Sequence, residues 1–258
     1  MEESKPTQTI TLAAIGDIHV RETEQGKWED FFRQVSRKAD VLLICGDLTD
    51  TGHHAEAEVL ARDLQACSIP VVAVLGNHDY ERDQQKQIRK ILEALHVHVL
   101  DGETVFIKGV GFAGTKGFGG GFDKHSLAMF GETAMKSFVQ EAVDETLKLD
   151  RALSHLEKEH PQSPKVVVLH YSPTKATITG EPEQIYPFLG SSRLAEPINN
   201  RNVTAAFHGH AHIGTLEATT SKGVKVFNVS HAVLERSKYP LPFYLLEIPI
   251  APGALAAA

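Results

Sequence analysis

Five short apolar runs in this 258-residue chain each end in residues that ligate metals or make strong hydrogen bonds. They are Leu12 to Ile15 before Gly16-Asp17-Ile18-His19, Val41 to Ile44 before Gly46-Asp47, Val71 to Leu75 before Gly76-Asn77-His78-Asp79, Val166 to Leu169 before His170, and Val203 to Phe207 before His208-Gly209-His210-Ala211-His212. A short apolar run bounded by polar residues reads as a buried strand. In open α/β sheets, ligands bind in the crevice outside the strand carboxyl ends. Five deliveries of this kind imply one shared site.

The pattern around these runs is α/β. Ile10 to Ile15, Val41 to Ile44 and Val71 to Leu75 read as strands, and Trp28 to Ala39, Ala55 to Ala66 and Gln84 to Leu95 as the helices between and after them. This βαβαβα order predicts right-handed crossovers and a parallel core. From Val97 to Ala113, breaks at Asp101-Gly102 and Lys108-Gly109 read as hairpins. Gly114 to Gly131 has no period, and a loop of that length is usually functional or mobile. Thr133 to Glu159 reads as a long amphipathic helix stopped by His160-Pro161. A strand-rich half follows: Val166 to Leu169, Val203 to Phe207, Leu216 to Thr220, Val224 to Asn228 and Phe243 to Ile248, with a short helix around Ser191 to Asn200. The motifs run from Asp17 to His212 without a linker, so residues 1–250 read as one domain. Residues 251–258 read as a tail of the kind left by cloning.

The bulk numbers exclude several classes. A hydrophobic content of 42% and a charged content of 23% are those of a globular chain with a sizeable core. A formal net charge of -7 argues against extended nucleic-acid binding through a basic surface, while leaving a single nucleotide admissible. Two cysteines, Cys45 and Cys67, in apolar surroundings read as free thiols in a reducing compartment. No apolar run is long enough to span a membrane, and the first residues lack a signal-peptide pattern, so a cytoplasmic protein is expected.

Asp17, His19, Asp47, Asn77, His170, His210 and His212 combine hard oxygen donors with imidazole nitrogens. That mixture suits manganese first, with iron or zinc as alternatives, and the absence of thiolates argues against a structural zinc cage. Seven ligands are too many for one ion and fit two divalent or mixed-valence ions that share a carboxylate, with Asp47 the best bridge. Two such ions, about 3.5–4 Å apart, activate a water and clamp the oxygens of an in-line displacement at phosphorus.

In order along about 200 residues, Asp-x-His, Gly-Asp, Gly-Asn-His-Asp, His and Gly-His-x-His resemble the motif set of the calcineurin-like metallophosphoesterases. The resemblance implies two packed mixed sheets flanked by helices. It also implies one ion on Asp17, His19, Asp47 and His212, and a second on Asp47, Asn77, His170 and His210. His78 matches the family's catalytic histidine, which contacts the phosphate or protonates the leaving oxygen. Asp79 is read as the residue that orients His78 and raises its basicity, with a turn residue as the alternative. Gly46-Asp47-Leu48-Thr49-Asp50 and Gly76-Asn77-His78-Asp79-Tyr80 also resemble, less closely, the cyclic-nucleotide phosphodiesterase branch.

Other polar residues read as bland. His208 ends a strand and is taken as structural, His53 and His54 as solvated residues at a helix start, and Asn228 and His231 as structural residues in preference to supports for the ligands. Gly109-Val110-Gly111-Phe112-Ala113-Gly114 matches a dinucleotide fingerprint but no helix follows it, so that reading fails. The expected function is phosphoester hydrolysis by a metal-activated water on a small substrate, nucleotides included, with diesters favoured over monoesters. A nuclease or a nucleotide or sugar phosphomonoesterase is the alternative enzyme, and a scaffold without activity the alternative of another class. Substrate choice is expected from Gly114 to Gly131 and Ser172 to Leu189.

Overall fold

Continuous apolar strands need cover on both faces, and the fold supplies it with two stacked sheets and helices outside them. The computed structural model describes residues 8–251, so all but the first residue of the proposed tail at 251–258 lies outside the described residues. In chain order the elements are β1 (Gln8–Ile15), α1 (Glu29–Ser36), β2 (Val41–Cys45), α2 (His54–Leu64), β3 (Val71–Val74), α3 (Gln85–Glu93), β4 (His98–Val99), β5 (Thr104–Ile107), β6 (Val110–Gly114), α4 (Thr133–Glu159) and β7 (Lys165–Val168). Then come α5 (Tyr186–Leu189), α6 (Ala195–Asn200), β8 (Ala205–His208), β9 (Glu217–Thr219), β10 (Lys225–Asn228), α7 (His231–Arg236) and β11 (Tyr244–Ile250).

The first sheet has the order β11-β1-β2-β3-β4, and the second β5-β6-β7-β8-β10-β9. β1 to β4 run parallel, with β11 antiparallel on the outside. In the second sheet β6, β7, β8 and β10 are parallel, and β5 and β9 close the edges antiparallel. Both sheets are therefore mixed, as expected.

Side-chain alternation shows how the layers stack. In β7 and β8, Val166, Val168, Ala205 and Phe207 point into the core shared with the first sheet. Val167, Leu169 and Ala206 point the other way, onto Leu149, Leu153 and Leu156 of α4. The first sheet is covered from outside by Phe32 and Val35 of α1, Leu60 and Leu64 of α2, and Ile88 and Leu92 of α3. The second core is smaller, and the 27-residue α4 covers it together with Leu194 just before α6 and Ile198 within it.

Two expectations change. Lys108-Gly109 does turn a hairpin, between β5 and β6, with both residues in the left-handed region at φ 48° and 84°, as a two-residue primed turn requires. Asp101-Gly102 does not, because β4 pairs parallel with β3 while β5 belongs to the second sheet. That break is where the chain crosses between sheets. The segment after β6 is irregular as expected, but Thr115 to Phe122 is largely buried, packed into the fold where an open loop was expected. Phe112 and Phe122 are core residues, Phe118 lies 4.8 Å from the Phe138 ring, and only Phe130 stands in solvent. Cys45 and Cys67 are both free thiols. Among the described residues no helix is long and apolar enough to cross a membrane.

Glu145 of α4 holds the buried loop in place. It is 1% exposed and accepts from the Thr115 hydroxyl and the Gly117 amide, while Lys148 pairs with its other oxygen at 2.6 Å. Glu145→Ala should cost about 2–4 kcal/mol, because an amide loses its only acceptor inside the protein. Glu145→Gln, which keeps an oxygen for the loop, should cost less than half as much. Urea denaturation of the two variants measures the difference, and equal losses would count against the loop-anchoring role.

Candidate metal centre

The parallel pairing of β1 with β2 continues past the strands and brings their first polar residues side by side. The Asp17, His19 and Val20 amides donate to the Gly46, Asp47 and Leu48 carbonyls, each at 3.0 Å. The second sheet is joined to this ladder at the same level: the Gly16 amide donates to the Val229 carbonyl at 2.8 Å, and the His231 amide donates back to the Gly16 carbonyl at 2.9 Å. The strand ends of both sheets thus meet over one crevice.

All seven residues expected as ligands come together there. Ligand atoms of Asp17, His19 and His212 lie within 4.8 Å of one another, and so do those of Asp47, His170 and His210. Asp47 also groups with His19 and His78, with 3.8 Å between His19 Nε2 and Asp47 Oδ2. It therefore stands between the two sets.

The hydrogen bonds of the rings determine which nitrogens face the centre. His170 is fully buried and its Nδ1–H donates to the Cys45 carbonyl at 3.0 Å. Its Nε2 then faces Asn77 Oδ1 at 2.8 Å and Asp47 Oδ1 at 3.4 Å. His210 uses Nε2 to donate to the Phe188 carbonyl at 3.1 Å, which leaves Nδ1 for the centre. His212 Nε2 lies 3.0 Å from Asp17 Oδ1. A partner on one ring nitrogen that leaves the other free is the usual arrangement of a metal-ligating histidine.

The electrostatics fit cations. Burial holds His170 well below the usual histidine range, lowers His19 and pushes His210 down to about 3, so these rings are neutral and offer lone pairs. His212 is raised instead, by its hydrogen bond to Asp17. Burial, with the carboxylates of Asp17 and Asp79 adding to it, pushes Asp47 well above the usual carboxylate range. Imidazole lone pairs turned toward crowded carboxylates are unfavourable in isolation. A divalent ion reverses that sign and deprotonates what it binds.

The backbone is bent to achieve this. Asp17, His19, Asp47 and His210 all have positive φ, at 58°, 43°, 49° and 66°, a conformation that costs a non-glycine residue about 1–2 kcal/mol. Two glycines make room. Gly46, at φ 83°, leaves no space between its backbone and the His170 ring, and a Cβ on Gly76 would collide with the Asp47 carboxylate and amide.

His78 lies at the rim, a third exposed, with its ring 4.6 Å from that of His19. Its Nδ1–H donates to the Asp50 carbonyl at 2.7 Å, which leaves Nε2 available. The expected orientation of His78 by Asp79 does not occur. Asp79 is fully buried, and its oxygens accept from the Leu48, Thr49 and Gly76 amides and the Thr49 hydroxyl. It ties the loop after β2 to the loop after β3, closer to the turn-residue alternative than to a catalytic one.

Several supports were not read from the sequence. Asn228 donates to the Ala211 carbonyl at 2.7 Å and to the Thr177 carbonyl at 3.3 Å, holding the turn that carries His210 and His212. Arg236 caps the same turn through the His212 and Gly214 carbonyls. His208 is structural as expected: buried, pushed down to about 4 by that burial, and bonded to Thr177 Oγ1 at 2.7 Å and the Gly209 carbonyl at 2.8 Å. His53 and His54 face Glu22 and Gln84, and His231 faces Glu235.

Two helix-flanked mixed sheets thus bring clustered candidate metal ligands together where their strand ends meet. The family model for calcineurin-like phosphoesterases matches residues 10–214. The chain belongs to that family of metal-dependent phosphoester hydrolases. A probable cyclic nucleotide phosphodiesterase of Synechococcus sp. is 24% identical over 216 residues, covering 79% of this chain and 74% of the relative. The phosphopantetheinyl hydrolase of Mycobacterium tuberculosis superimposes with a TM-score of 0.66 at 14% identity, over 92% of this chain and 95% of that one. A Thermus thermophilus protein superimposes with a TM-score of 0.56 at 16% identity, over 95% of this chain and 100% of that one.

Asp79→Ala should destabilise the metal-free protein by about 3–5 kcal/mol, because three buried amides lose one acceptor. His78→Ala, at the rim, should cost less than about 1 kcal/mol. Thermal melts of the metal-free variants check the contrast, and an Asp79→Ala protein that melts with the wild type would refute the tie.

Proposed function

We propose that this site hydrolyses phosphodiesters of small molecules, nucleotides included, with water as the nucleophile. The observation that carries the reading is the position of Asp47 between two ligand groups. Asp17, His19, Asp47 and His212 would hold one ion, and Asp47, Asn77, His170 and His210 the other. Manganese is the first candidate, with iron or zinc accepted by the same donors. A pair of such ions supplies Lewis acidity, lowering the pKa of water and withdrawing charge from the phosphoryl oxygens.

The chain's own groups do the rest. His170 and His210, each tethered through its second nitrogen to a backbone carbonyl, keep the crevice rigid, so little reorganisation accompanies reaction. His78 is the proton donor to the leaving oxygen. The Asp50 carbonyl holds its Nδ1–H, which fixes the ring and turns Nε2 outward to the substrate. Preference for a diester is supported by the name of the Synechococcus relative and by the branch resemblance around Asp47 and Asn77.

Manganese-loaded protein should cleave bis(p-nitrophenyl) phosphate faster than p-nitrophenyl phosphate and lose both activities on chelation. A faster monoester reaction would reverse the diester assignment. His78→Ala should lower kcat about 10²–10⁴-fold at unchanged metal content, so metal loss in step with activity would mean it is a ligand. Asp47→Ala should lower occupancy at both positions, as read by elemental analysis after dialysis.

A further inference from the structure

Lys116 lies two residues beyond β6, beside the proposed ligands, and its ammonium makes few direct contacts with the protein around it. The residue is 8% exposed. Its Nζ makes one hydrogen bond, to the Gly117 carbonyl at 2.9 Å, and the carboxylate paired with it, Glu141, stands 3.8 Å away and is about half exposed. Around Nζ stand the aromatic rings of Phe118 at 4.7 Å, Tyr171 at 5.4 Å and Tyr80 at 5.5 Å, while the charges of Glu145, Asp101 and Lys148 act on it from beyond ion-pair distance. An ammonium has three donors, so it keeps hydrogen-bonding capacity in a place largely shut off from water. Such a charge is costly to hold unless a partner completes it.

The position is rigid. The Lys116 carbonyl accepts from the His170 amide at 3.1 Å and the Tyr171 amide at 3.0 Å, while Glu145 holds Thr115 and Gly117 on either side. The side chain lines a cavity of about 210 Å³ whose wall includes Asn77 along with Tyr80, Phe118, Glu141 and Tyr171. An anion seated at the metal centre therefore borders the same space as the ammonium.

We propose that Lys116 binds a phosphoryl oxygen of the substrate from the side of Asn77, and that Tyr80, Phe118 and Tyr171 receive the flat face of the esterifying group. This rests on the reading of Asn77 and His170 as metal ligands. The arrangement selects phosphoesters with a planar organic group over those with a bulky or branched one.

Calorimetric titration of inorganic phosphate into the manganese-loaded full chain tests the contact without requiring turnover. Lys116→Met, which keeps length and apolar packing, should bind phosphate about tenfold more weakly at unchanged metal content, and Lys116→Arg within about threefold of wild type. Glu141→Gln, at an exposed residue, removes the nearest competing carboxylate and should bind phosphate about threefold more tightly, which keeps the test decisive if Lys116→Met does not fold. Wild-type binding in either Lys116→Met or Glu141→Gln, or no phosphate binding by wild type, overturns the proposal. Failure of the hydrolase reading has a separate signature: Lys116-dependent phosphate binding by a protein that cleaves no ester.

Discussion

The structure depends on crowding more acceptors into one buried crevice than the donors around them satisfy. Asp47 Oδ1 lies 3.4 Å from a neutral, buried imidazole nitrogen whose only proton is committed to a backbone carbonyl. Asn77 Oδ1 faces the same nitrogen at 2.8 Å, and Asp17 adds a second buried carboxylate nearby. Lone pairs at such distances oppose folding in a dry crevice. They become the strongest feature of the site around divalent cations.

Much of the surrounding fold serves to impose that arrangement. The amide ladder from β1 and β2 runs on through Val20 and fixes the spacing of Asp17, His19 and Asp47. Asp79 fastens the third loop to the second, and the Asp47 carboxylate itself accepts the His78 amide at 2.9 Å. Asp17 accepts the His210 amide at 3.0 Å, which links the first strand to the loop after β8 in the other sheet across 193 residues. Four of the proposed ligands in left-handed backbone are the residue of this constraint, and the amides around them keep the strain from relaxing.

The donors were legible because the chemistry demands particular side chains at particular strand ends. The strands were legible too, because parallel strands covered on both faces appear as unbroken apolar runs. Support from the backbone left no such signature. The partners of His78, His170 and His210 are the carbonyls of Asp50, Cys45 and Phe188, and any residue type supplies a carbonyl. Asp79 misled for a related reason: adjacency to His78 in sequence favours an orienting role, but the three-residue turn carries its carboxylate to the amides of Leu48, Thr49 and Gly76 instead. Asp101-Gly102 looked like a hairpin because turn chemistry is local, while the sheet each flanking strand joins is decided by tertiary packing. Thr115 to Phe122 looked like an open loop because its cover, α4 and Ser191, is remote in sequence.

The claim at the centre is that one carboxylate joins two adjacent ions. Electron paramagnetic resonance of the protein loaded with two manganese ions per chain tests it directly. A shared Asp47 predicts a spin-coupled spectrum that Asp47→Ala abolishes; the six-line spectrum of isolated manganese in the fully loaded wild type would contradict it.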